Sequence, residues 1–479
     1  MKTVIHWFRR DLRVTDNTSL HEADRLAERV VPVFCWDEAI LRSPDVGGAR
    51  VAFLLESLRS LRANLESLGH RLVVRRGRPE EILRQLAMET GASAVFANRD
   101  YEPYSRERDA RVASALASAG VVFRSFKDSV VWEEREVLTG AGGVYTVFTP
   151  YSRAWRAKGI PAPRPRLSQA RVAPDASIAS EALPADSGEL GHACGHALFP
   201  AGERAGLKAL DDFLHGRVER YQTGRDTPSD DGGTSRLSPH LRFGTVNVRT
   251  ALERLGRARA TASSDIGRRG CEVWETELIW REFYVQVLAN HPHVATGAFR
   301  REYDAMEWEG RDAWFEAWCA GQTGYPVVDA AMRCLNATGW MHNRLRMVVA
   351  MFLTKDLLVS WQRGERYFMQ RLVDGDLASN NGGWQWSAGT GTDAAPYFRI
   401  FNPVSQGEKF DPTGQFVRRW VPELATVPDK FVHRPWDDPG RRAGPSYPPR
   451  IVDHGVQRDR CLRMFKAVRG GVAPADSAD

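Results

Sequence analysis

The segment Asp374–Trp386, reading DGDLASNNGGWQW, crowds carboxylates, amides, glycines and tryptophans into one short stretch of the chain. Asp374 and Asp376 are costly to bury without partners, and the Gly382-Gly383 pair breaks a helix. The composition therefore predicts a loop wrapped around something polar and aromatic. The bland alternative is an acidic helix junction beside aromatic core residues.

Two further stretches carry groups that could do chemistry. GGTSRLS (Gly232–Ser238) offers hydroxyls and backbone amides at the start of an apparent helix, as a phosphate nest would. On its own this is a weak signal, since a Thr-Ser pair is more often a plain helix cap. In WETELIWREFY (Trp274–Tyr284), Trp274, Glu277 and Arg281 share one helix face. The chain has fifteen tryptophans, most of which must simply pack. Its six cysteines form no CxxC pair and no zinc-spaced His-Cys cluster, so neither a disulfide framework nor a metal site is indicated and a reducing cytoplasm is expected.

These groups need a scaffold. Thr3–Phe8, Val30–Cys35, Leu72–Val74 and Ala94–Ala97 read as strands, and Val51, Leu54, Leu55, Leu58, Leu61, Leu65 and Leu68 recur at helical spacing, predicting a helix over Arg50–Leu68. The alternation predicts an α/β domain with a Rossmann-like parallel sheet over residues 1–130. No GxGxxG follows the first strand, so the fold alone does not imply NAD. Residues 131–206 are expected to be a connection, rich in Pro, Ala and Ser from about Ala157 to Gly206. An all-α domain is expected over 207–469, with Leu345, Val348, Val349, Phe352 and Leu353 as one apolar stripe, and a short frayed tail over 470–479.

With 479 residues, the chain is too long for one ordinary core. A net charge of +6, carried mostly by arginine, favours a polyanionic partner such as nucleic acid. No apolar run is long enough to cross a bilayer, and the opening residues, an apolar strand followed by RRDLR, are expected not to form a secretory signal.

Several motifs occur together in order: HWFRRDLRVTDN (His6–Asn17), WETELIWREFY, TGYPVVDAAMRCLNATGWMHNRLRMVVAMFLTKDLL (Thr323–Leu358), DGDLASNNGGWQW and APYFRIFNPVSQGEKFD (Ala395–Asp411). Over nearly its whole length the chain resembles the cryptochrome/photolyase family, specifically class I photolyases that split cyclobutane pyrimidine dimers in DNA. The resemblance implies a carbon–carbon lyase that uses FAD as the reduced anion. The reaction would be blue-light-driven electron transfer to the dimer and back, without net redox change.

By this resemblance Tyr221, Thr234, Ser235, Arg236, Leu237 and Ser238 hold the FAD phosphates. Trp274, Arg281, Asp374, Gly375 and Asp376 belong to the same cofactor site, with Arg346 as ionic partner of Asp374. Asn380 faces the flavin N5. Trp384, Trp361 and Trp308 match a chain of electron carriers from flavin to surface. Glu277 matches the carboxyl that hydrogen-bonds the thymine carbonyl edge, and Trp280 and Trp386 the aromatic walls for the flipped bases. Asn343, Arg344 and Met347 line that face, Arg281 is shared with it, and Arg225 and Gln406 match DNA contacts.

Departures narrow the reading. Enzymes that repair the other major photoproduct carry two histidines where this chain has Asn343 and Met347, and plant-type photoreceptors usually carry Asp at the Asn380 position. A second, antenna chromophore is expected to be 8-hydroxy-5-deazaflavin before folate, since Tyr104 and Ser105 stand where the folate version has Asn-Glu. Arg50, Asp100 and Glu102 are the candidate contacts, and FMN is a further candidate. The expected partner is UV-damaged DNA; a cytoplasmic monomer with no obligate protein partner is expected. A cryptochrome-type photoreceptor signalling through protein partners is the alternative.

Overall fold

The computed structural model describes residues 1–195, 199–440, 442–444 and 446–470, so most of the expected tail lies outside the described residues. The chain packs as two compact units. One comprises Met1–Gln222, Ser235–Pro292 and Val373–Asp376; the other comprises Thr223–Thr234, His293–Leu372 and Leu377–Asp479.

The first unit is built on a parallel sheet of β1 (Thr3–Phe8), β2 (Arg29–Trp36), β3 (Val73–Arg76), β4 (Ala94–Asn98) and β5 (Val122–Phe126), in the order β3-β2-β1-β4-β5. β1 pairs Ile5 with Val31 on one side and with Val95 on the other. The four expected strands are present, with ends within two residues of those expected; the third runs Val73–Arg76, starting one residue later and ending two later. β5 is added at the edge, where VFRSF is largely accessible and carries an arginine, so it lacks the apolar run that marks the buried strands.

Helices α1 (Thr18–Leu26), α2 (Gly48–Glu66), α3 (Pro79–Thr90) and α4 (Pro103–Ala117) link the strands. Asn17 caps α1 by accepting from Leu20 N at 3.1 Å. The core between sheet and helices includes Ile5, Trp7, Val33, Leu83, Leu86, Val95, Val112 and Leu116. Because β2 and β4 flank β1 on opposite sides, the sheet reverses its winding between β1 and β4, where open α/β sheets present a crevice beyond their carboxyl ends.

Within the stretch expected as a connection, residues 148–157 form helix α5 (Phe148–Ala157). Beyond it the described residues up to 202 are irregular apart from one short turn at Ser187–Leu190. The unit is completed by α6 (Ser238–Phe243), α7 (Val248–Thr261) and the long α8 (Asp265–Asn290).

A buried charge network ties the loop after β1 to α7. Arg13 pairs with Asp128, and Arg249 reaches Asp16 and Asp128 at 2.9 Å each. Thr18 N and Oγ1 both donate to Asp128 at 2.9 Å. Burial alone would raise the Asp128 carboxyl, but Arg13 and Arg249 outweigh it and hold it below its usual range.

The second unit contains α9 (Pro326–Thr338), α10 (Asn343–Met351), α11 (Trp361–Arg371), α12 (Leu377–Ala388), α13 (Pro403–Phe410) and α14 (His454–Gly470) among its helices. Leu345, Val348, Val349, Phe352 and Leu353 are all buried in its core with Met332, Phe368 and Trp384. Phe352 and Leu353 lie in a π-helical turn, Phe352–Asp356, closed by Leu357 N donating to Phe352 O at 3.0 Å. No helix among the described residues is long and apolar enough to cross a membrane.

Asp128 has a depressed folded-state pKa, so its stabilising contribution is present above the unfolded value of about 3.9 and is lost as pH falls through the folded value. Asp128→Asn is expected to lower the unfolding free energy at pH 7 by about 3 kcal/mol. In urea titrations across pH, the gap between variant and parent should narrow below about pH 4.

Candidate functional site

The segment that begins the site, Asp374–Asp376, is held by arginines of the first unit. Arg10, just beyond β1, pairs with Asp376 and also with Glu102 at 2.6 Å and Asp100 at 3.3 Å, both just beyond β4. Arg50 Nη1 and Arg242 Nε both donate to the Gly375 carbonyl, at 3.0 and 2.8 Å. The expected antenna residues Arg50, Asp100 and Glu102 thus share one charge network with Gly375 and Asp376, at the reversal point of the sheet.

Burial would lower the Arg10 pKa, but Asp100, Glu102 and Asp376 outweigh it and raise it. Burial, reinforced by the neighbouring Arg242, pushes Arg50 down to about 10. Arg281 is lowered by burial, opposed by Asp376; it donates to Ser129 O at 2.7 Å and Leu241 O at 3.5 Å. Asp374 is buried.

The same unit brings Trp274, Glu277, Trp280 and Arg281 onto α8, as expected. Trp274 is buried, against Phe213, which also meets the buried Tyr221. Glu277 and Trp280 are partly exposed. Ser235, Arg236 and Leu237 form the turn before α6, which starts at Ser238. Arg236 there has φ 51°, a left-handed backbone uncommon outside glycine and frequent at ligand sites.

In the second unit the segment after Asp376 is helical. The predicted loop over Gly382-Gly383 is instead α12. Each glycine costs about 1 kcal/mol relative to Ala in a helix, and tertiary packing outweighs this. Trp384 meets Phe368 edge-on with centroids 5.0 Å apart and Trp318 at 6.1 Å. A Cβ on Gly364 of α11 would collide with the Trp384 ring, so glycine there lets the indole lie directly on α11. Asn381 donates to Glu365 Oε1 at 3.0 Å and to Val294 O at 2.8 Å, and Gln385 accepts from Phe299 N at 2.8 Å. Lys355 Nζ, fully buried, donates to Ala388 O at 2.6 Å, placing a cation at the helix C-terminus.

Asn380, Gly383 and Trp384 share a face of α12. Asn380 Nδ2 donates to Glu365 O at 3.0 Å, which fixes the amide orientation and turns its oxygen away from that carbonyl. A Cβ on Gly383 would meet nothing within 4 Å, and the buried Trp384 Nε1 has no hydrogen-bond partner among the described residues. An accepting amide oxygen, an open strip and an orphaned indole N–H fit a polar aromatic group such as a flavin ring.

The tryptophans grade outward. Trp384 and Trp361 are 2% and 3% exposed, whereas Trp308 is partly exposed. Trp386 is partly buried on α12, and Thr234 and Arg225 are also partly exposed. On α10, Arg344 pairs with Asp226 at 2.7 Å, lies over the Phe410 ring at 4.4 Å and approaches Met347 Sδ at 3.9 Å; Asn343 is exposed and Arg346 Nε donates to Met341 O at 2.8 Å. Gln406 lies on α13, which ends at Phe410.

Residues 274–467 match the family described as the FAD binding domain of DNA photolyase, and residues 4–168 match DNA photolyase. The chain belongs to the DNA photolyase family. It is 40% identical over 483 residues to a deoxyribodipyrimidine photo-lyase of Synechococcus sp., spanning 99% of this chain and 98% of that protein. Among photolyases of known structure, a bacterial class III enzyme from Agrobacterium tumefaciens superposes with TM-score 0.87 at 40% identity, covering 98% of both chains. The archaeal photolyase from Sulfolobus tokodaii, solved with two FAD molecules, superposes with TM-score 0.83 at 34% identity, covering 97% of this chain and 100% of that one. The family's α/β domain and helical FAD-binding domain agree with the expected fold class.

Sequence reasoning missed Arg10, Arg242, Gly364, Asn381 and Gln385. Arg10 carried a signal, because adjacent arginines directly after a buried strand must find partners. Gly364 carried none, since its role depends on a ring twenty residues away in sequence.

Arg10→Leu leaves Asp100, Glu102 and Asp376 without their shared cation. The variant is expected to lose about 3 kcal/mol of unfolding free energy and to be purified with reduced FAD content, measured by absorbance after heat release, and Arg10→Lys should recover part of both.

Proposed function

We infer that the protein is a deoxyribodipyrimidine photo-lyase that splits cyclobutane pyrimidine dimers in DNA under blue light. The observation that carries this is full-length similarity to curated photo-lyases at about 40% identity, supported by the α12 face that fits a flavin. Bound FAD, as the reduced anion, would supply the electron that opens the cyclobutane ring.

The chain's own residues bind, orient and exclude. Tyr221 and the Thr234–Ser238 turn take the phosphates; Trp274, Arg281, Arg346, Asp374, Gly375 and Asp376 take the remainder of the cofactor. Asn380, its NH2 engaged by Glu365 O, presents an oxygen that accepts from a protonated ring nitrogen. Trp384, Trp361 and Trp308 carry electrons from the surface to restore the reduced state, in keeping with their outward grading of exposure.

On the substrate side, Trp280 and Trp386 pack against the flipped pyrimidines, and Glu277 donates a hydrogen bond to their carbonyl edge. Arg225, Asn343, Arg344, Met347 and Gln406 meet the DNA. A phosphate approaching Arg344 has to compete with Asp226, and binding weakens with salt because each phosphate contact releases counterions. The antenna reading remains 8-hydroxy-5-deazaflavin ahead of folate or FMN, at Arg50, Asp100 and Glu102; the reversal point of the sheet supports that location. The boundaries at residues 130, 206 and 469, a monomeric state, a cytoplasmic setting and independence from protein partners complete the proposal.

Anaerobically reduced protein should remove thymine dimers from an oligonucleotide only in the illuminated sample. Absence of repair with FAD bound and reduced would overturn the reading in favour of a photoreceptor. Glu277→Ala is expected to lower the repair yield while FAD stays bound, scored by dimer loss per photon absorbed. Trp308→Phe should slow photoreduction of oxidised flavin, followed by absorbance, and leave repair by pre-reduced enzyme intact.

A further inference from the structure

The stretch between the sheet and α8 is strapped along α8 by its backbone and side chains. Glu282, 1% exposed, accepts from Val131 N, from Trp132 N at 3.2 Å and from Trp155 Nε1 at 2.7 Å. Gln286 Nε2 donates to Tyr145 O at 2.8 Å, Asn290 Nδ2 to Glu134 O at 2.9 Å, and Arg156 pairs with Glu275 at 2.7 Å. A buried carboxylate with three protein donors is a strong local organiser.

What the strap delivers is Phe148, the first residue of α5. Its ring lies face to face on Trp280, with centroids 3.7 Å apart and planes 5° apart. Aromatic pairs left to themselves favour offset or edge-on arrangements at wider separation, so the surrounding packing imposes this one. Phe283 meets Trp280 edge-on at 5.5 Å and also meets Phe148 edge-on at 5.7 Å. Phe148 is 7% exposed whereas Trp280 keeps part of its surface.

We propose that Phe148 is a positioning residue for dimer recognition: its ring covers one face of Trp280 and, with Phe283 and Tyr284 also against the indole, fixes the plane on which a flipped pyrimidine packs. The inference rests on the reading of Trp280 as a wall of the substrate cavity. Fixing the ring before binding removes the entropy cost of ordering it in the complex. Phe148 acts through Trp280 and does not itself touch the substrate.

The test is dark binding of the FAD-loaded protein to a thymine-dimer oligonucleotide and to its undamaged counterpart, by fluorescence anisotropy. Phe148→Leu keeps the apolar volume without a ring face; it is expected to reduce the preference for dimer-containing DNA about fivefold, with affinity for undamaged DNA and FAD content unchanged. Phe148→Tyr, which keeps the ring, should retain the parental preference. Should Phe148→Leu fail to fold, Phe148→Met is read by the same ratio.

The proposal is overturned if the ringless variant keeps the parental preference while Trp280→Ala loses it, or if affinity for both DNAs falls equally in a variant that holds its FAD. Trp280→Ala at the parental preference would instead remove the reading of Trp280 on which the proposal stands.

Discussion

The structure depends first on a balance of charge beyond the carboxyl ends of β1 and β4. Arg10, Arg50, Arg242 and Arg281 sit among Asp100, Glu102 and Asp376, with the Gly375 carbonyl accepting from two of the guanidinium groups. Shielded ions of this kind are tolerated only when every member has a partner. The tripeptide Asp374–Asp376 is therefore part of the α/β unit's electrostatics, although the helix it leads into belongs to the second unit. The buried network of Arg13, Asp16, Asp128 and Arg249 repeats the logic at the other side of the same loop.

Immediately after this tripeptide the constraint changes from charge to shape. α12 holds glycines that oppose helix formation, yet Trp384 seated over Gly364 and the amides of Asn381 and Gln385 bonded to Val294 and Glu365 fix it. The glycines then serve the face they weaken, because a side chain at Gly383 would fill the open strip beside Asn380. Local instability and an open face come from the same residues, with tertiary packing supplying the difference.

Much of this was legible in the sequence. Buried parallel strands announce themselves as apolar runs, and four of them were placed within two residues of their observed ends. The edge strand Val122–Phe126 was not, since its accessible face removes that signal. Motif order identified the family, which the family matches over residues 4–168 and 274–467 bear out. The loop expected at Gly382-Gly383 failed because propensity was read without the rings that pack on the helix. Phe148 stayed hidden inside an apparent connection for a related reason: a stack between residues 148 and 280 has no local trace in either segment.

The way the chain is threaded carries a consequence for its synthesis. The first compact unit is complete only when Val373–Asp376 has joined it. During vectorial synthesis the sheet and its helices emerge long before Asp376 can neutralise Arg10 or the Gly375 carbonyl can receive Arg50 and Arg242. The nascent α/β unit therefore waits, with an incompletely matched cluster of cations, until more than three-quarters of the chain has left the ribosome, and its final closure is coupled in time to the emergence of the helix that bears Asn380.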